Sequence, residues 1–259
     1  MPNSVKESQI NILKEQFIHD HVFLYVITGS IRFFNGFEGQ TLIAGDYCII
    51  RKNSLVRFEF LESPEVFKPI VFCFDVSFLQ AFQLRHNIKR ENVPLAGSLV
   101  KIKKTDLLVS FIRSLRPYQK GVMQLEDAFS ELKHEELIII LLKNNPEFST
   151  FFFDFGIPEK INLEGFMNRN FTFNVSIQRF AFLTGRSLSA FKRDFKKIFN
   201  ETPGHWLMQK RLTEAYYRLT EQKRRPSEIY LDLGFENLSH FAVAFKKQFG
   251  LSPSKLIKQ

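Results

Sequence analysis

Ser189, Lys192, Arg193 and Lys196 stand at i, i+3, i+4 and i+7, the spacing that sets a hydroxyl and three cations on one face of a helix. A guanidinium in such a row suits bidentate bonding to the O6 and N7 acceptors of guanine, and an ammonium reaches the same atoms more loosely. Lys196 and its neighbour Lys197 suit phosphate oxygens, which position a helix without reading sequence. The pattern returns fifty residues later. Residues 187–203 read SLSAFKRDFKKIFNETP and residues 237–253 read NLSHFAVAFKKQFGLSP, identical at 8 of 17 positions, too many for two amphipathic helices to share by accident. In the second copy the outer positions are Ser239, Ala242 and Val243, followed by Lys246 and Lys247. Ala242 and Val243 offer contact only to a thymine methyl or a sugar edge, so the second copy is expected to be the weaker reader.

Something must hold such a face outward. At 100° per residue Leu188, Phe191, Phe195 and Ile198 fall within about 80° of one another, opposite the cations, and are expected to be buried. Each copy follows a short helical segment closed by Gly185 or Gly234. Ala181, four residues before the first glycine, lets two helices cross closely; its counterpart Tyr230 must tilt its helix or point aside. A helix, a tight turn and a basic helix form a helix-turn-helix, whose second helix enters the major groove. Caps are expected at Asn174 or Ser176, at Ser187, at Thr202 before Pro203, and at Asn237 or Ser239. A first helix is expected over Lys160–Asn168, and another opening at Pro226 and ended by Gly234.

Charge divides in the same place. Residues 156–259 hold 18 Lys and Arg against 9 Asp and Glu, whereas residues 1–155 hold 18 of each sign. The whole excess of nine positive charges therefore belongs to the half that carries the repeat, as expected of a polyanion-binding module joined to a neutral one.

The neutral half reads as β structure. Candidate strands are Val22–Thr28, Ser30–Phe34, Gln40–Ile43, Tyr47–Arg51, Val56–Phe60 and Pro69–Phe74, separated by Gly29, Gly36, Gly39 and Gly45, which favours a small antiparallel barrel such as a jelly roll. Two helices follow, Thr105–Tyr118 and Leu125–Lys143. Their apolar stripes face either the barrel or a second subunit. Turn residues between Asn144 and Pro158 mark a boundary, and Phe151-Phe152-Phe153 inside it is too apolar for a free linker and is expected to pack as a last strand. Cys48 and Cys73 lie in apolar runs, as buried thiols of a reducing cytoplasm do. No apolar run approaches the length of a bilayer span, and the polar start MPNSVKESQI lacks the layout of a signal peptide.

The motifs SIQRFAFLTGRSLSAFKRDFKKIFNETPGHWL and EIYLDLGFENLSHFAVAFKKQFGLSP resemble the DNA-binding domain of the AraC/XylS family of bacterial transcription regulators, over about residues 159–257. The resemblance implies seven helices in two helix-turn-helix units joined by a long helix, here about Pro203–Leu219 and ~25 Å long, which spaces two reading helices for successive major grooves on one DNA face. It also implies Ser189, Lys192, Arg193, Ser239, Ala242 and Val243 as base-reading positions, with Lys196, Lys197, Lys246 and Lys247 on phosphates. The stretch HVFLYVITGSIRFFNGFEGQTLIAGDYCIIRKNSLVRFEF resembles, less specifically, the cupin-like sensor domain of the same family, with the helices after it in the place of dimerisation helices. The expected architecture is thus α+β in two domains. Residues 1–155 form a jelly-roll or cupin-like sensor and dimerisation domain with two following helices, and residues 156–259 an all-α double helix-turn-helix domain.

The expected function is a sequence-specific, cytoplasmic transcription regulator, an activator as most of that family are. It has double-stranded DNA and RNA polymerase as partners, a small molecule or protein as effector, a homodimer as an open question, and no membrane, cofactor or catalytic residue. The alternative is a metal-dependent cupin enzyme with an accessory nucleic-acid module, suggested by His19-Asp20-His21 on one strand face. Its next Glu and His, Glu38 and His86, lie too far along the chain to favour it. A single-strand or RNA binder would need aromatic stacking platforms, and the phenylalanines of 177–249 follow the buried stripes instead.

Overall fold

The Val-, Ile- and Phe-rich runs of the first half pair into antiparallel sheets, and the second half is helical throughout. The computed structural model describes residues 16–36, 38–93, 97–118 and 127–256, and two units meet between Gly156 and Ile157. Among the described residues of the first unit the strands are β1 (Phe17–Ile18), β2 (His21–Thr28), β3 (Ser30–Phe34), β4 (Gly39–Ile43), β5 (Tyr47–Ile50), β6 (Ser54–Leu55), β7 (Arg57–Phe60), β8 (Lys68–Phe74) and β9 (Leu99–Ile102). They form a four-stranded sheet β8-β2-β5-β9, a three-stranded sheet β4-β3-β7 and the pair β1-β6. No closed barrel forms among them.

The central strand explains the layering. β2 is buried at Val22, Phe23, Leu24 and Val26 alike, because both of its faces are covered. Phe23 packs with Tyr47, Ile49 and Phe72 in the core beneath the helices. Val22, Leu24 and Val26 pack with Ile31, Phe33 and Leu42 of the three-stranded sheet. Register follows, with Val22 opposite Ile50 and Leu24 opposite Cys48. A one-residue slip would exchange these two cores. Each fully buried phenylalanine here contributes about 1.5–3 kcal/mol by leaving water.

Helices α1 (Val76–His86), α2 (Asp106–Ser114) and α3 (Asp127–Asn144) cover the outer face of the four-stranded sheet. Leu108, Phe111, Leu115, Leu137, Ile140 and Leu141 pack inward, while Leu107, Phe129, Leu132 and Ile139 are left exposed. Leu125, expected at the start of the second of these helices, lies outside the described residues, as does the side chain of Ala128.

Besides the short strands β1, β6 and β9, two helical elements of the first unit differ from expectation. α1 was not foreseen, because its apolar residues make no clean stripe: Leu79 and Phe82 are buried but Leu84 is 85% exposed. Its cap was legible, since Asp75 accepts from the Phe78 amide at 2.8 Å and Asn87 closes the helix in the left-handed region at φ 49°. The second difference is the Phe-rich segment before the boundary, which is not a strand. After a 3₁₀ turn at Pro146–Phe148 it forms the short helix α4 (Ser149–Phe152). Phe148, Phe151, Phe152 and Phe153 are all buried, a pattern that a helix covered on all sides shares with a strand covered on both faces. Bonds from the Glu91 amide to Ser149 Oγ (3.1 Å) and from Arg90 to Asp154 (3.2 Å) hold the segment to the first unit.

The two histidines of the metal alternative do not share a strand face. His19 lies exposed in the connection between β1 and β2, edge-on to Phe17 at 4.6 Å. His21 is buried against Phe151 and Phe152, with ring centroids 5.2 and 5.4 Å apart, and its Nδ1 accepts from the Lys52 amide at 3.3 Å. Burial, then the charges of Lys52 and Arg51, push its pKa down to about 3, so the ring is a neutral core residue. No group of three or more His, Cys, Asp or Glu among the described residues is arranged to hold a metal ion. No helix among them is long and apolar enough to cross a membrane.

Candidate nucleic-acid interface

In the second unit the helices are α5 (Leu163–Asn170), α6 (Ile177–Leu183), α7 (Leu188–Phe199), α8 (Pro203–Thr220), α9 (Pro226–Ile229), α10 (Leu238–Phe249) and α11 (Pro253–Leu256). Of the alternative caps, Ser176 and Asn237 are the ones used: Ser176 accepts from the Arg179 amide and Asn237 from the His240 amide. Ser187 caps α7 through the Ala190 amide. Thr202 occupies the cap position of α8 without a side-chain bond, and Pro203 follows it. α5 starts later than expected, because Asn162 caps it at the Gly165 amide, 2.7 Å away.

The first turn is fixed by a close backbone approach. Gly185 has φ +66°, and a Cβ there would lie 2.5 Å from the carbonyl atoms of Glu159. Arg186 leaves this turn almost fully covered, its side chain 8% exposed. It donates to the carbonyls of Thr184 (2.6 Å) and Ile161 (3.0 Å) and to Asp194 Oδ2 (3.3 Å). Asp194 thereby ties α7 to the turn. On its other oxygen it accepts from Nε and Nη2 of Arg193, at 3.4 and 3.3 Å. Desolvation opposes the ionised carboxylate, but the bonds from Arg186 and Arg193 and the charges of Arg193 and Lys160 outweigh it and hold its pKa below the ordinary value. A cation that the sequence marks for reading bases therefore rests against a carboxylate anchored in the turn.

α7 presents Ser189, Lys192, Arg193, Lys196 and Lys197 to solvent and buries Phe191 and Phe195. Ile198, expected in the buried stripe, is 44% exposed. The stripe advances by four residues at each step, so Phe199 takes its place, its ring tilted against Phe195 at 4.3 Å and against Trp206 of α8 at 4.6 Å. α10 repeats this with Phe241, Phe245 and Phe249, whose rings follow at 5.7 and 4.6 Å, and Tyr216 of α8 lies 5.0 Å from Phe249. Each ladder of three phenylalanines thus rests on an aromatic residue of the same connecting helix. α10 exposes Ser239, Val243, Lys246 and Lys247, with Ala242 half-buried.

The two helix-turn-helix units are tied through Arg211 of α8. Its guanidinium donates to the carbonyls of Phe171 (2.8 Å), Phe173 (2.8 Å) and Gly234 (3.0 Å), binding the α5–α6 connection and the second turn to the connecting helix. Gly234, at φ +79°, comes so near that a Cβ would lie 2.6 Å from the Thr172 carbonyl. The second turn has one residue more than the first, four steps from Gly234 to Leu238 against three from Gly185 to Leu188. Glu236 and Ala244 stand where the first copy has Arg186 and Asp194, so the ionic brace is not repeated. Regular helix ends at Ile229, and Tyr230 packs half-buried against the Leu212–Phe245 core. The start of α9 is held by Glu228, which accepts from the Arg225 amide at 3.0 Å and from the side chains of Arg225 and Arg224. Arg186, Asp194, Arg211 and Glu228 escaped the sequence reading. Only Glu228, three residues beyond its cap position, left a local signal.

The chain is similar to several known proteins. Residues 21–151 match the family described as ExsA N-terminal regulatory domain, and residues 180–259 a helix-turn-helix domain family. The virulence regulon transcriptional activator VirF of Yersinia enterocolitica is 24% identical over 246 residues, 92% of this chain and 89% of that protein. The HTH-type transcriptional regulator ExsA of Pseudomonas aeruginosa is 22% identical, over 83% of this chain and 77% of that protein. Among solved structures, a point variant of apo ToxT from Vibrio cholerae aligns over 94% of this chain and 90% of its own at 15% identity, with a TM-score of 0.42.

Proposed function

The chain belongs to the AraC family of transcription regulators and carries an N-terminal regulatory domain of the ExsA type, and from that premise we propose that it reads two successive major grooves with α7 and α10. It is a DNA-binding transcription regulator and not an enzyme. One observation carries the proposal: two helices of matched cap, phenylalanine ladder and exposed lysine pair rest on opposite ends of a single 18-residue helix, ~27 Å long.

In this reading Arg193, Lys192 and Ser189 meet base edges in the first groove. Ser239, Ala242 and Val243 face bases in the second, and Lys196, Lys197, Lys246 and Lys247 meet phosphates. Residues 156–259 act as the DNA-binding domain. Residues 1–155, whose stacked sheets suit a jelly-roll or cupin-like sandwich, act as sensor, with a small molecule or partner protein as effector. The exposed Leu107, Phe129, Leu132 and Ile139 supply the face for a homodimer. The regulator works in the cytoplasm as an activator, in contact with RNA polymerase and without a cofactor.

The test is binding of full-length protein to duplexes spanning one groove or two around a footprinted site. Two grooves gaining at least tenfold in affinity over one supports the reading; equal affinity overturns it.

A further inference from the structure

We propose that α10 reads the 5-methyl groups of thymine, so that the second half of the binding site is chosen by apolar contact where the first is chosen by a guanidinium. This rests on the two-groove reading and deepens it. Val243 is 68% exposed, while Ser239 and Lys246 lie on the same side at i−4 and i+3 from Val243. Val243 stands one helical turn before the exposed Lys247, where Arg193 stands one turn before Lys197 in the first copy.

Among the described residues of the second unit, no packing contact accounts for the valine. Its core is filled by Phe241 and Phe245 on the opposite face of α10, with Leu212, Leu219, Ile229 and Leu233 from the other helices. A β-branched residue on an exposed helix face is a poorer helix former than the Lys or Arg of the first copy. Val243 lies within one helical turn of Ser239, Lys246 and Lys247, and so belongs to the flank that the two copies share rather than to a separate docking surface. In a major groove, an apolar side chain without donor or acceptor discriminates one base feature, the methyl on C5 of thymine. Ala242, small and half-buried, lets the groove floor approach the helix, and Val243 supplies the surface that a methyl covers.

The chemistry gives a clean test, because deoxyuridine is thymidine without that methyl and keeps every hydrogen-bonding group. Full-length protein is used to select its site from random 30-base-pair duplexes. Each thymine of the selected duplex is then replaced singly by deoxyuridine, and binding is measured for wild type and for Val243→Ala. Replacement at one or two thymines in one half-site is expected to weaken wild-type binding about 3- to 10-fold, with no effect above twofold in the half-site protected by Arg193. The same replacements are expected to cost Val243→Ala less than twofold. Fluorescence of Trp206 checks that the variant is folded, which its exposed position favours. Selected sites without thymine in the second half, or equal deoxyuridine penalties for wild type and Val243→Ala, overturn the inference. A two-groove affinity gain that persists alongside either result leaves the two-groove reading standing, whereas loss of that gain removes both.

Discussion

Replacing Arg211 with alanine takes three donors from one half-buried guanidinium and leaves the carbonyls of Phe171, Phe173 and Gly234, 2.8 to 3.0 Å away, without them. A hydrogen bond to a charged group is worth about 1.5–3 kcal/mol net. The three share a single cation and do not add in full, so a loss of about 3–5 kcal/mol is expected. A unit of ordinary stability holds only about 5–10 kcal/mol, so this is a large part of it. Trp206 is the only tryptophan of the chain and packs against Phe199, so its fluorescence during urea denaturation of the full-length protein follows the second unit. With a slope of about 1–1.5 kcal/mol per molar, the midpoint falls by roughly 2–5 M. Arg211→Lys keeps the charge but replaces a planar fork by one ammonium, and is expected to restore less than half. If Arg211→Ala costs under about 1 kcal/mol, the clamp is not what joins the second turn to the connecting helix.

Other substitutions probe reading, turn geometry and acid stability. Arg193→Ala is expected to cost about 1–3 kcal/mol on the selected duplex and to relax preference at one base pair; equal losses on selected and random duplexes would remove Arg193 from the readers. Lys196→Ala is expected to weaken all duplexes alike and to lower the slope of log affinity against log salt by about one, whereas an unchanged slope speaks against a phosphate contact. Gly185→Ala forces a left-handed alanine into the Glu159 backbone and is expected to cost about 2–4 kcal/mol in the Trp206 melt. Glu228 ionises with a pKa of about 2 against an ordinary 4.5, chiefly through the Arg225 amide and side chain. Its contribution is therefore complete above about pH 4.5 and is lost as pH falls through 2. Glu228→Gln should flatten that part of the acid unfolding curve, and a curve unchanged in shape refutes the assignment.

The second unit was the more legible half, because its signals are local. Ser187, Asn237, Gly185 and Gly234 announce caps and turns within a few residues of where they act. The lysine pairs 50 residues apart made the two copies visible. What stayed hidden depends on contacts distant in sequence. Arg211 meets carbonyls 40, 38 and 23 residues away, and Asp194 meets Arg186 across a turn of irregular length. The misjudged Ile198 came from extending a stripe whose last rung is set by Trp206 of the next helix. In the first unit, strands were found wherever glycines bracket them. β1, β6 and β9 are two to four residues long, too short to show a period, and the phenylalanines at 151–153 read as a strand because burial on all sides looks the same in either conformation.

Because one continuous helix carries Trp206 under the first ladder and Tyr216 under the second, the two probes keep a fixed pitch. A single base pair inserted between the halves of a promoter site turns the second half by roughly 34° and carries it ~3.4 Å away, a displacement that a stiff rod does not follow. On the two-groove reading, regulatory DNA under this protein can drift by substitution while its length between the two half-sites stays locked.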